Sequence, residues 1–387
     1  ESTDGVMSKC KRPGRTKLRK TLIHNHKSLE NSSESNWVIF DETVLSSGDS
    51  NDWHSIVNSE VEVIDAQGGY LTPGMVETHS HGGNGYSLSR DLESFREIRK
   101  FQRKNGIARG VISLVTSELS ETLEIIEAAK AYASEDEGFL GLHLEGPFLN
   151  ESKKGAHNPH LLLNPDRDSL KKLVETGQTG SGNLVFSMTV AAELFQDSDL
   201  QYLIDSGMRL CLGHTESNYD QAVHFFGHHG KVMTHAFNAM PGIHHREPGP
   251  VVAAMHGENV YLELIADEVH VHPQVMKLID PEKVILVTDS MSAAGLGDGE
   301  YQLGELKVSV IDSVARTESG ALAGSTLLIH EAVRNFSKIS STRSALRAAI
   351  TNPEMAYGLQ SQRIEAGSRA ELVLWDQSLK IRNLFNL

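Results

Sequence analysis

The sequence predicts an α/β protein, a (β/α)8 TIM barrel with a small β-sandwich-like domain built from both chain termini. Three observations predict it. Eight short apolar runs recur beyond Tyr70, most followed by text with helical spacing, the rhythm that parallel βα units require. Strand-like text bounded by turn residues flanks this region on both sides. Imidazoles and carboxylates fall at the carboxyl ends of the runs, the face on which barrels assemble sites.

Taken in order, residues 1–36 are polar, with Lys11, Arg12, Arg15, Lys17, Arg19 and Lys20, and read as a poorly ordered leader. Trp37-Val-Ile-Phe40 and Glu60-Val-Glu-Val-Ile64 are strand-like, separated by Asp-, Gly- and Ser-rich turns. The eight runs are Gly74–Ser80, Gly110–Thr116, Phe139–Glu145, Leu184–Val190, Met208–Gly213, Lys231–His235, Val260–Ile265 and Val284–Asp289. Leu92–Lys104, Glu121–Ala133 and Ser169–Glu175 carry helical spacing between them, and Thr326–Ile339 and Ser344–Ile350 are helix-like after the eighth. Ile364–Asp376 is again strand-like. The expected division is a barrel over 71–362 and a small β domain over 37–70 plus 363–387.

Composition narrows the function. Hydrophobic residues make up 39% and charged residues 22% of 387, an ordinary globular balance with no apolar run of membrane-spanning length. A net charge of −15 argues against binding nucleic acid or an anionic membrane. Only Cys10 and Cys211 occur, so a disulfide framework is excluded and a cytoplasmic setting is expected.

The polar residues at the strand ends carry the chemistry. His79 and His81 stand at the end of run one, Glu145 closes run three, His214 follows run five, His235 closes run six, His270 follows run seven and Asp289 closes run eight. Carboxylate and imidazole together suit a divalent metal, zinc first, with iron, manganese or cobalt as alternatives, and with a position open to water. His79-Ser80-His81 alternates, so both rings project from one side of an extended strand. Glu145 ends an apolar run, where a buried carboxylate is costly unless it is paired or metal-bound. His143 shares its face and suits either a supporting or a purely structural role. Asp289 is placed to take a proton from an activated water and return it to an amine leaving group. Together these groups describe metal-assisted amide hydrolysis. Thr234–Gly249 adds Asn238, His244, His245 and Arg246, local cationic character against an acidic background.

These residues resemble the amidohydrolase superfamily and, within it, the N-acetylglucosamine-6-phosphate deacetylase family. The matching text is Pro73-Gly74, His79-Ser-His-Gly-Gly83, His143-Leu-Glu-Gly-Pro-Phe148, Lys154-Gly-Ala-His157, Gly213-His-Thr215, Thr234-His-Ala-Phe-Asn-Ala-Met240 and His244-His-Arg-Glu-Pro-Gly249. It continues through Ile265-Ala-Asp-Glu-Val-His270, Val287-Thr-Asp289 and Leu322-Ala-Gly-Ser-Thr326, from about residue 60 to the end.

The resemblance implies removal of acetate from the sugar phosphate, with Glu145, His214 and His235 as the main metal site and Asp289 as acid/base. It implies substrate contacts at Ala156, Asn238, Ala239, Arg246, Asp267, Glu268, Val269, His270, Leu322, Ala323 and Gly324, and an imidazole at His157 that polarises the acetyl carbonyl. Arg246 suits phosphate on physical grounds too, because its planar fork matches phosphate oxygens. His79 and His81 imply a second ion bridged by Glu145, in a chain expected to form a homodimer. The family's usual Asp-Gly reads Asp267-Glu268 here, which places a carboxylate near an anionic substrate. A relative using a modified lysine at strand four is disfavoured, since Ser187-Met-Thr-Val190 holds none. Intact ligands likewise disfavour a catalytically dead member of the family.

Overall fold

A computed structural model describes residues 19–30, 36–50, 52–180 and 182–387. Eight parallel strands form its centre: β1 (Met75–Glu77), β2 (Ile107–Val115), β3 (Phe139–Glu145), β4 (Val185–Val190), β5 (Arg209–Leu212), β6 (Gly230–Met233), β7 (Tyr261–Ile265) and β8 (Val284–Val287). They pair in sequence order, as right-handed βα crossovers dictate. Each overlaps one of the eight apolar runs. β4 and β8 are buried at every residue because they are covered on both faces, which is why they read as unbroken hydrophobic text.

The barrel closes at its carboxyl end. β1 and β8 share no ladder, but Ser80 bridges Ser290, the Asp289 N–H donates to the His79 carbonyl at 2.8 Å, and the His81 N–H donates to Ser290 at 2.8 Å. Closure is therefore made by the same segments that carry His79, His81 and Asp289. Glu77 supports this seam from inside, accepting from the peptide N–H groups of His79 and Thr288 at 3.1 and 3.4 Å. Burial pushes its pKa up to about 8, so the acid is largely protonated at neutral pH.

The small domain packs two sheets over one core. One runs Val44–Gly48, Asn36–Phe40, Lys20–His26, Val61–Asp65; the other runs Ile381–Phe385, Leu372–Trp375, Leu71–Pro73. Ile23, Val38, Phe40, Leu71, Leu372 and Leu374 join them.

The expected leader over 1–36 is too long, and its first 18 residues lie outside those described. Lys20–His26 is a central strand: Ile23 pairs with Val38 on one side and Ile64 on the other. Its polar ends mask the signal, whereas Leu22 and Ile23 are wholly buried, each burial stabilising by about 2 kcal/mol. A second departure is a three-stranded antiparallel sheet, Gly299–Leu303, Leu306–Ile311 and Val314–Thr317, between β8 and the last helices. Its turn at Asp312-Ser313 has positive φ at both residues, the turn geometry that suits the twist of a hairpin. No helix among the described residues is long and apolar enough to cross a membrane.

Candidate active site

Five of the eight strands, β1, β3, β5, β6 and β8, deliver side chains to one buried cluster. Its centre is Glu145, the last residue of β3. Glu145 Oε1 lies 3.0 Å from Nε2 of both His214 and His235, which follow β5 and β6. Its Oε2 lies 3.1 Å from His81 Nε2 and 3.2 Å from His157 Nε2, and His79 Nε2 is 3.6 Å from Oε1. Asp289 completes the cluster, with Oδ1 3.3 Å from His81 and 3.5 Å from His79. Five imidazoles thus face one carboxylate, and all seven side chains are buried. His214, His235 and Asp289 have positive φ values of 46°, 26° and 47°. Non-glycine residues adopt that conformation at a cost, and such strain collects where side-chain aim matters more than backbone comfort.

Ring orientation shows what the cluster can hold. His214 Nδ1 lies 2.7 Å from the Lys153 carbonyl, which can only accept, so the proton of the neutral ring sits on Nδ1. Its bare Nε2 then points at a carboxylate oxygen and at His235 Nε2, 2.9 Å away. His79 repeats the arrangement: Nδ1 faces Glu263 Oε2 at 3.4 Å and Nε2 faces Glu145 and Asp289. Lone pairs aimed at one another need a cation between them. The donor edges of 2.9 and 3.0 Å are close to those of a nitrogen–oxygen metal site. Two triads have donor atoms within 4.8 Å of one another, His79–His81–Glu145 and Glu145–His157–His214.

The electrostatics agree. Burial disfavours charge on every group here, but Asp289 and Glu145 overcome it at His79 and His81. They hold His79 well above the ordinary imidazole range and His81 at about 9. In return, burial notwithstanding, His79 chiefly holds Glu145 well below the usual carboxylate range, and His79 and His81 hold Asp289 down to about 2. Two carboxylates therefore draw about two positive charges into the site, and a divalent cation supplies the same charge without protons. His157 differs: burial lowers its pKa to about 4, so it is neutral at pH 7, with Thr116 Oγ1 2.9 Å from Nδ1.

The remaining expected site residues lie in the segments that follow β3, β6, β7 and β8. The Asn238 amide donates to the His235 and Ala236 carbonyls and steadies a turn in which Ala239 has φ 50°. Ala156 packs on the inserted sheet, next to Gly155, whose Cβ would come within 3.2 Å of the His214 ring. Gly324 lies against the backbone of Asp289, where a Cβ would meet its carbonyl at 2.9 Å, and Leu322 and Ala323 lead into it. Asp267 holds its own turn, accepting from the Val269 and His270 N–H groups at 2.9 and 2.8 Å and meeting His270 Nδ1 at 2.6 Å. Arg246 is exposed, its guanidinium 2.8 Å from His245 Nε2.

Glu268 resolves its own anomaly. Its carboxylate pairs with Lys338 at 3.0 Å, so its charge is locally balanced. Its φ is 66°, the left-handed region that glycine occupies freely. The loop keeps a glycine-like turn at a cost of about 1 kcal/mol. Glu268→Gly should therefore raise stability by about 1 kcal/mol, less the small worth of an exposed ion pair, as read from the denaturant midpoint. A lower midpoint would contradict the strain.

Sequence reasoning missed Glu263. It is wholly buried on β7, accepts from Thr78 Oγ1 at 2.7 Å and Tyr357 OH at 2.9 Å, and orients His79. The signal was present, because an acid inside Tyr-Leu-Glu-Leu-Ile265 is as costly as Glu145 is in its own strand.

A family model described as the amidohydrolase family matches residues 70–387. The chain belongs to the amidohydrolase family. It is thus a hydrolase, and this family builds on metal-dependent barrels of the kind seen here. Among similar proteins is the N-acetylgalactosamine-6-phosphate deacetylase of Escherichia coli O157:H7, 31% identical over 84% of this chain and 88% of the relative. The N-acetylglucosamine-6-phosphate deacetylase of Bacillus subtilis is 32% identical over 79% of this chain and 80% of its own length. A solved N-acetyl-D-glucosamine-6-phosphate deacetylase mutant from Mycobacterium smegmatis, in complex with N-acetyl-D-glucosamine-6-phosphate, superposes with a TM-score of 0.86 at 29% identity. That match covers 95% of this amidohydrolase and 97% of the other chain.

Proposed function

We propose that this amidohydrolase removes the acetyl group of an N-acetylated amino-sugar 6-phosphate, foremost N-acetylglucosamine 6-phosphate, releasing acetate and the free amine. The observation that carries the reading is the convergence of four imidazole Nε2 atoms, from His214, His235, His79 and His81, on the single carboxylate of Glu145. Glu145, His214 and His235 would hold a divalent cation, zinc by donor type, and His79 and His81 a second one beside it. Such a cation polarises an acyl carbonyl and lowers the pKa of water.

The chain's own groups do the rest. Asp289, ionised at neutral pH, takes the proton from water and returns it to the departing nitrogen. His157, neutral and buried, contacts the acyl oxygen. Ala156, Asn238, Ala239, Asp267 to His270 and Leu322 to Gly324 line the sugar, and Arg246 clamps the phosphate. The reducing setting suggested by two cysteines fits a cytoplasmic reaction.

A second reading is favoured by the Escherichia coli relative, whose substrate carries galactosamine. The two sugars differ only at the C4 hydroxyl, so the acyl chemistry is shared and pocket contacts decide. Acetate release from both 6-phosphates, before and after chelation, tests the proposal. No release from either, or release untouched by chelation, would overturn it. Arg246→Ala should raise KM for the 6-phosphate about 10- to 100-fold, the worth of a hydrogen bond to a charged group, and leave the unphosphorylated sugar unaffected. Equal losses on both would remove Arg246 from the phosphate.

A further inference from the structure

The helical layer outside the barrel carries a second group of converging donors. Asp197 opens the helix Asp197–Asp205, and His224 lies on the helix Tyr219–His228, with His229 at its end. Asp197 Oδ1 lies 3.1 Å from Nε2 of both His224 and His229, and Oδ2 lies 3.0 Å from His224 Nε2. One donor atom from each residue lies within 4.8 Å of the others. None of the three touches the cluster around Glu145.

The rings are pre-positioned. His224 stands 4.5 Å from the His228 ring, and His228 Nδ1 is 2.9 Å from the His224 carbonyl. The His229 side chain is 5% exposed, whereas that of Asp197 is 65% exposed and open to water. Among the described residues no lysine or arginine pairs with Asp197; its ion-pair partners are these two imidazoles.

We propose that Asp197, His224 and His229 form a peripheral site for a divalent transition-metal cation, zinc in the first instance, that clamps the start of one barrel helix to the end of the next. Ligands about 2.0–2.1 Å from a tetrahedral ion sit about 3.3 Å apart, close to the separations already present. Two imidazoles and one carboxylate with open positions suit zinc, cobalt or iron rather than calcium or magnesium, which prefer oxygen alone. Both histidines present Nε2 to the same Asp197 oxygen, and a chain of net charge −15 favours a cation over a second anion.

Zinc counting tests this on the full chain, stripped with chelator and dialysed against a slight excess of zinc chloride. The wild type should retain one more zinc per chain than His224→Gln/His229→Gln, and Asp197→Asn, exposed and harmless to the core, should show the same loss. Zinc excess should raise the thermal midpoint of the wild type and leave both variants unmoved. Equal zinc content and equal thermal response across the three proteins would overturn the site. Retention of the extra ion by Asp197→Asn alone would overturn the three-ligand assignment. The count is read whether or not the chain releases acetate, so it stands apart from the proposed deacetylation.

Discussion

Asp289→Asn should lower turnover about 1,000-fold while metal content and substrate affinity stay near wild type. Asparagine has the same shape, so the seam between β8 and β1, made by the backbone of residue 289, is kept. What is lost is the group that accepts a proton. Asp289 is ionised at neutral pH because His79 and His81 outweigh the effect of burial, and an amide has no such basic form. Its contacts with His79 and His81, at 3.5 and 3.3 Å, allow another outcome that the experiment separates. A variant that loses an ion together with its activity would make Asp289 a ligand instead of a base. Turnover within tenfold of wild type would remove it from the chemistry. The readouts are kcat and KM for acetate release, elemental analysis, and calorimetric binding of the amine product.

Glu145→Gln should remove both ions and bring activity to background. One carboxylate faces five imidazoles, and its two oxygens divide them into a group at His214, His235 and His79 and a group at His81 and His157. The amide keeps one oxygen and loses the charge, so neither group retains its anionic bridge. His79 and His81 are left with Asp289 alone as counter-charge. Breaking a buried pair from one side costs about 3–5 kcal/mol, so the metal-free variant should unfold at lower denaturant than the metal-free wild type. Elemental analysis and urea unfolding check the two halves. Wild-type metal content would sink the assignment of Glu145 as the bridge.

Much of this site could be read from the chain because its donors stand at strand ends. Strands covered on both faces read as apolar runs, and a polar residue closing such a run has few structural explanations. Glu145, His214, His235 and Asp289 all followed that rule. Glu263 falls outside that rule: it sits mid-strand, where the face it presents depends on barrel geometry. Lys20–His26 escaped notice because a short central strand with basic and polar ends has no period of its own. Its burial comes from Val38 and Ile64, distant in sequence. The sheet Gly299–Thr317 was hidden too: of its two hairpin turns only Gly304-Glu305 carries a glycine, and Asp312-Ser313 has none. Asp197 belongs to one helix and His224 and His229 to the next, so only their packing brings the three together.

By itself, then, the sequence determined the barrel, the kinds of donor and the strand ends that carry them, because hydrophobic periodicity and residue chemistry are local properties. The tertiary structure decided which atoms face one another: that Lys153 and Glu263 take Nδ1 of His214 and His79, that Lys338 balances Glu268, and that five rings meet on Glu145. The physical reason is that a hydrogen-bond direction or an ion pair depends on separations of a few tenths of an ångström between residues tens to hundreds of positions apart. No spacing along the chain encodes such distances until the barrel has closed.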